Sequence, residues 1–134
     1  MEEEILSILN EIKIAIYVLL TVVIVGVIAN WIRAGASMKN LIRNKLDDFF
    51  KEEACRLHEE GKSKELIGHC EDELKKRPNS SNALWFLAKA YYQIEDFEQS
   101  KEHFEKLSTL EPSWYESDIK PFMEKIDELE NQAH

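Results

Sequence analysis

Cys55, His58, His69 and Cys70 are the residues of this chain whose types most invite chemistry. Two thiols and two imidazoles make a tetrahedral zinc set, and Cys55 and His58, three apart, share one face of a helix. His69 and Cys70 are adjacent, and adjacent helical side chains point about 100° apart. The four therefore do not converge, and the sequence is read as metal-free, with Cys70 in a core. His58 beside Glu59 or Glu60 has the composition of an acid–base pair. Cys55, one turn earlier, is the only nucleophile near it, and no oxyanion pocket is spelled out around that thiol. The paired acids Asp47-Asp48, Glu52-Glu53 and Glu59-Glu60 have the pattern of solvated helix surface. Neither a glycine-rich phosphate loop nor a helix-borne zinc motif is present, so the sequence implies no enzyme and no cofactor.

The elements that carry these residues begin with an apolar segment, IKIAIYVLLTVVIVGVIANWI, over residues 12–32, in which only Lys13 and Asn30 are strongly polar. At 1.5 Å per residue it is about 32 Å long, against roughly 30 Å of membrane hydrocarbon. It is apolar on every side, and a chain of 134 residues offers no interior to bury it. The expectation is a transmembrane helix, with Lys13 and Trp31 placed for the interface. An export signal needs a basic start, whereas residues 1–13 carry Glu2, Glu3, Glu4 and Glu11 against Lys13. Ile5, Leu6, Ile8, Leu9 and Ile12 make residues 1–11 an amphipathic segment.

Arg33, Lys39, Arg43 and Lys45 follow the span with no acid before Asp47. By the positive-inside rule this basic helix or linker, residues 33–46, lies in the cytoplasm, able to rest against anionic headgroups, and the N-terminus lies outside. A bacterial cytoplasmic membrane is expected, since no basic organelle presequence leads the chain. The net charge is -9, and the residues after Lys45 carry the acidic excess. Nucleic acid is excluded as a partner, because binding it rests on basic side chains. Two cysteines on a cytosolic side are no disulfide framework.

Beyond Lys45 the chain repeats. Pro78 and Pro112 stand 34 residues apart, and at that offset Ala54 meets Ala88, Leu57 meets Tyr91, Leu66 meets Ser100 and Cys70 meets Phe104. Such a period marks stacked helical hairpins. Apolar spacing predicts helices over 46–60, 62–76, 82–94, 98–110 and 115–131. Ser80 or Ser81 is the cap of the third, Phe104 is the core anchor of the fourth, and Pro112 stops it.

Residues 78–112, PNSSNALWFLAKAYYQIEDFEQSKEHFEKLSTLEP, resemble a tetratricopeptide repeat through Leu84, Leu87, Ala88, Tyr91, Phe97, Phe104 and Pro112. Ser100 replaces the usual small alanine, and Leu107 the later one. Residues 47–80 resemble a degenerate copy through Phe50, Ala54, Leu57, Gly61, Cys70 and Pro78, with Glu53 where a leucine is expected. Residues 115–131 resemble a capping helix, and 47–131 as a whole a short all-α solenoid.

The resemblance implies a concave protein-binding face lined by Lys51, Cys55, His58, Asn82, Trp85, Phe86, Lys89, Tyr92 and Gln93. Some members of that family grip the carboxylate tail of a chaperone. Here Cys55 and Phe86 stand where asparagines would serve, which points instead to an extended peptide or a helix in an apolar groove. The functional expectation is a membrane-anchored adaptor that recruits a protein to the bilayer. The alternative is a small non-catalytic accessory subunit, held in a larger integral membrane complex by anchor and repeat together.

Overall fold

The computed structural model of the chain describes all 134 residues. It is all-α and has no strand, and it divides into two compact units, Met1–Lys45 and Leu46–His134.

The first unit is helix throughout. Helix α1, Glu2–Glu59, runs through it without a break. Apart from Met1, residues 1–11, 12–32 and 33–46 all lie along this one helix. No proline precedes Pro78, and a glycine within a helix costs only about 1 kcal/mol relative to alanine, so Gly26 and Gly35 do not interrupt it. Glu2, Glu3 and Glu4 occupy the first turn, where carboxylates complement the positive end of the helix dipole. The most apolar stretch of α1 has a mean hydropathy of 2.7 and is wholly unburied, and α1 is the one helix long and apolar enough to cross a membrane.

The second unit takes the last turns of α1 and adds α2 (Ser63–Lys76), α3 (Ser81–Gln93), α4 (Phe97–Leu110) and α5 (Lys120–Gln132). The 34-residue period of the sequence reappears in its backbone. Lys62 N–H donates to Leu57 O at 2.9 Å, and Asp96 N–H donates to Tyr91 O at 3.0 Å. Arg77 N–H donates to Glu73 O and Glu111 N–H to Leu107 O, both at 2.8 Å. The first turn is made by Gly61 at φ 71°, and its equivalent is Glu95 at φ 62°. That left-handed conformation is easy for glycine and strained for glutamate. Tie for tie, Arg77 pairs with Asp47 where Ser81 Oγ donates to Glu111 at 2.8 Å. Ser80 Oγ caps α3 by accepting from Ala83 N–H at 3.3 Å, and Asp96 caps α4 by accepting from Gln99 N–H at 3.3 Å.

Two apolar clusters hold these helices, and α3 lies between them. One joins Phe50, Ala54 and Leu57 to Leu66 and Cys70 and to Ala83, Phe86, Leu87 and Ala90. The other joins Leu84 and Ala88 to Phe104, Leu107, Ile119 and Ile126. Ser100, fully buried, donates its hydroxyl to Ala88 O at 2.9 Å, so its polar atom is satisfied where α4 meets α3. Glu53, the counterpart of buried Leu87, stays half-exposed and pairs with Arg56 at 2.5 Å. The charge thereby escapes the cost of an unpaired burial.

After α4 the chain does not form a simple turn. Pro112–Trp114 is a 3₁₀ turn and Tyr115–Ile119 a π-helical turn, before α5 begins. The irregular segment sets Ile119 into the second cluster and turns Trp114 and Asp118 toward the face of α3.

Candidate functional site

A groove of about 290 Å³ opens on the second unit, lined by Lys51 and Cys55 of α1, Asn82, Trp85 and Phe86 of α3, and Trp114 and Asp118. Five of the residues expected on a concave face are therefore brought together. Trp114 and Asp118 were not foreseen. Both come from the 3₁₀ and π-helical segment, whose geometry has no periodic signal; a Trp two residues after Pro112 was the one available clue.

Trp85 is wall and core at once. Its indole meets the rings of Phe122 at 5.5 Å, Phe104 at 5.7 Å and Trp114 at 6.4 Å, each edge to face. Phe86 is buried and turns an edge toward Phe50 at 6.4 Å. Over these two rings sits Lys89, its Nζ 5.4 Å from the Trp85 centroid and 6.0 Å from that of Phe86. A cation over ring faces gains from their quadrupoles, but Lys89 has no carboxylate partner. The other two half-buried lysines do: Lys101 pairs with Asp127 at 2.6 Å and Glu130 at 2.5 Å, and Lys120 with Glu116 at 3.0 Å. Burial pulls the Lys89 pKa below its ordinary value. Lys51 likewise makes no ion pair.

The remaining expected residues do not line this groove. His58 is half-buried, with its Nδ1 unpartnered, and burial, then the Lys89 charge, pull its pKa down. Gln93 accepts from Ser63 Oγ at 2.7 Å and lines a different hollow with residues 61–65 and Ile94. Tyr92 packs against Phe122 at 5.4 Å and Phe97 at 5.9 Å, and lines a third with Pro121, Phe122 and Lys125. α5 folds back over this end of α3, which a linear face count along the helix does not register.

The thiols and imidazoles separate as well. Cys55 is exposed, whereas Cys70 is buried and its thiol is pushed up to about 12, first by burial. His69 stacks on Phe50 at 4.7 Å. No three His, Cys, Asp or Glu side chains stand close enough to share a metal ion. In the first unit, Lys13, Trp31, Arg33, Lys39, Arg43 and Lys45 are all exposed. Arg43 donates to Asn40 Oδ1 at 2.9 Å, and none of these cations meets a carboxylate. No protein-family model matches the chain, and neither a curated protein nor a solved structure shows significant similarity to it.

Proposed function

We propose that this chain is a membrane-anchored, non-catalytic adaptor. Residues 12–32 span the bilayer, and a tetratricopeptide-like domain, residues 47–131, recruits a protein partner on the cytoplasmic side of a bacterial membrane. The groove carries the reading: it gathers Lys51, which makes no ion pair, with Asn82 and the indoles of Trp85 and Trp114 around one opening, and Lys89, also without a carboxylate partner, stands over the Trp85 ring. Exposed aromatic area and an underpaired cation are what interfaces use for affinity and specificity. The hairpins repeating bond for bond at 34 residues support the tetratricopeptide likeness. The basic segment after the apolar stretch supports the orientation.

The accessory-subunit alternative has its own support in the exposed apolar residues flanking the span, such as Leu6 and Leu9 before it and Leu41 after it. The two separate in a mild-detergent affinity purification of the full-length chain, with Asn82→Arg filling the groove and Lys106→Gln as a control remote from it. An adaptor loses its partner with Asn82→Arg alone. A partner retained by both variants, and itself an integral membrane protein, overturns the groove reading in favour of the subunit.

A further inference from the structure

The two sides of the groove carry opposite charge. Lys51 stands on the α1 side and Asp118 on the side of the π-helical turn, with Asn82 and Trp85 of α3 in the lining between. Neither charge is neutralised within the chain. Asp47, one helical turn before Lys51, pairs with Arg77 instead. Lys120, two residues after Asp118, pairs with Glu116 at 3.0 Å. Asp118 accepts only the neighbouring Ser117 hydroxyl, at 2.5 Å. Lys51 and Asp118 line one opening and yet do not pair with each other. Lys89 extends the positive side, its Nζ over the rings of Trp85 and Phe86.

Shape narrows the occupant. At about 290 Å³ the groove stands at the small end of ligand pockets, which begin near 300 Å³, so it takes a few side chains and not the face of a helix. Trp85 and Trp114 meet at 88° with centroids 6.4 Å apart, a corner for one apolar side chain. The Asn82 carboxamide has no hydrogen-bond partner in the chain, which leaves it free to donate to and accept from an extended backbone. Charge then decides among extended segments. A wholly apolar one would strip Lys51 and Asp118 of water without giving either a partner. A wholly acidic one meets Asp118, a wholly basic one meets Lys51 and Lys89, and like charges brought together are how an interface rejects a partner. One acid and one base satisfy both sides.

We propose that the groove takes an extended internal segment of the partner protein, with an acidic side chain on Lys51 and Lys89 and a basic side chain on Asp118. Between them an apolar side chain seats against Trp85 and Trp114. These three side chains lie on one side of the segment, at positions i, i+2 and i+4, which sets the two charges about 13 Å apart. Both charged groups are side chains, so no chain end is needed. The proposal rests on the groove being the recruiting surface, and adds to that reading the partner's charge order.

The test displays random segments of about 12 residues, roughly 40 Å when extended, on phage with coat protein at both ends. They are selected on the full-length chain in mild detergent, and enrichment of an acid and a base four positions apart around an apolar residue is expected. A selected segment, synthesised with both ends blocked, binds the parent at least about threefold more tightly than it binds Lys51→Glu or Asp118→Lys. Exchanging its base for Glu restores binding to Asp118→Lys, and exchanging its acid for Lys restores binding to Lys51→Glu. Both positions are exposed, and near-ultraviolet circular dichroism of the two variants matches the parent. Segments that are lost with Asn82→Arg but show no charge preference, or that bind the parent and both charge variants alike, overturn the charge order and leave the groove as the recruiting surface. No enrichment at all, or enrichment indifferent to Asn82→Arg, overturns both.

Discussion

Replacing Trp85 with alanine separates a wall that also holds the fold from one that only contacts a partner. The indole is in contact with three rings from three other segments. Removing a large buried aromatic costs about 3–5 kcal/mol, and edge-to-face pairs add about 0.5–1.5 kcal/mol beyond area burial. Trp85 is only half-buried, so the low end, about 3 kcal/mol, is expected for Trp85→Ala. In a domain of this size each kcal/mol moves the melting temperature by about 4–8 °C, giving a fall of roughly 12–24 °C. Trp85→Phe, which keeps a ring beside Phe122, should lose less than half of that. The assay is thermal and urea unfolding of the full-length chain in detergent, followed by near-ultraviolet circular dichroism, where tertiary aromatic packing is read directly. A Trp85→Ala protein that melts within about 3 °C of the parent refutes the account of Trp85 as core.

Other consequences follow from single sites. At the paired turn positions, Gly61→Ala should destabilise by about 1 kcal/mol, and Glu95→Gly should stabilise by about 0.5–1 kcal/mol, since only glycine adopts φ near +60° freely; chemical unfolding midpoints check both signs. His103 stacks on Tyr91 at 5.5 Å, and burial holds its pKa below 6.5. The unfolded chain therefore binds the proton first as pH falls. Stability is full above about pH 6.5 and declines as pH drops through that value toward the folded pKa, and melting profiles of His103→Gln should be flatter across the window. Iodoacetamide at about pH 8 should alkylate Cys55 and spare Cys70, whose buried thiol is pushed up to about 12, until the domain unfolds. Equal labelling of both in the folded protein would contradict that burial.

The all-α class and the spacing of the hairpins were legible in the sequence for identifiable reasons. Ala54 and Ala88, Cys70 and Phe104, and the two prolines repeat at one offset, and hairpins that pack alike must place the same contacts at the same period. The apolar stretch was legible by length and composition. What was not legible is geometry that leaves no periodic trace. No proline lies between residues 33 and 46, so α1 runs on as one helix past the division between the two units at Lys45. The π-helical turn that brings Asp118 to the groove has no residue signature. Tyr92 and Gln93 share α3 with Trp85, yet a helix face is partitioned by what packs on it. Phe122 of α5 claims Tyr92, and Ser63 claims Gln93.

The most direct test of recruitment through the groove is photo-crosslinking in intact cells from the full-length protein. A photoreactive residue is placed at Asn82 or Cys55 within the groove, and at Glu105 on the exposed side of α4. The account predicts one discrete adduct with the same partner from both groove positions and none from Glu105. Adducts of equal yield from Glu105, or none from either groove position while the chain remains folded and in the membrane, would contradict it.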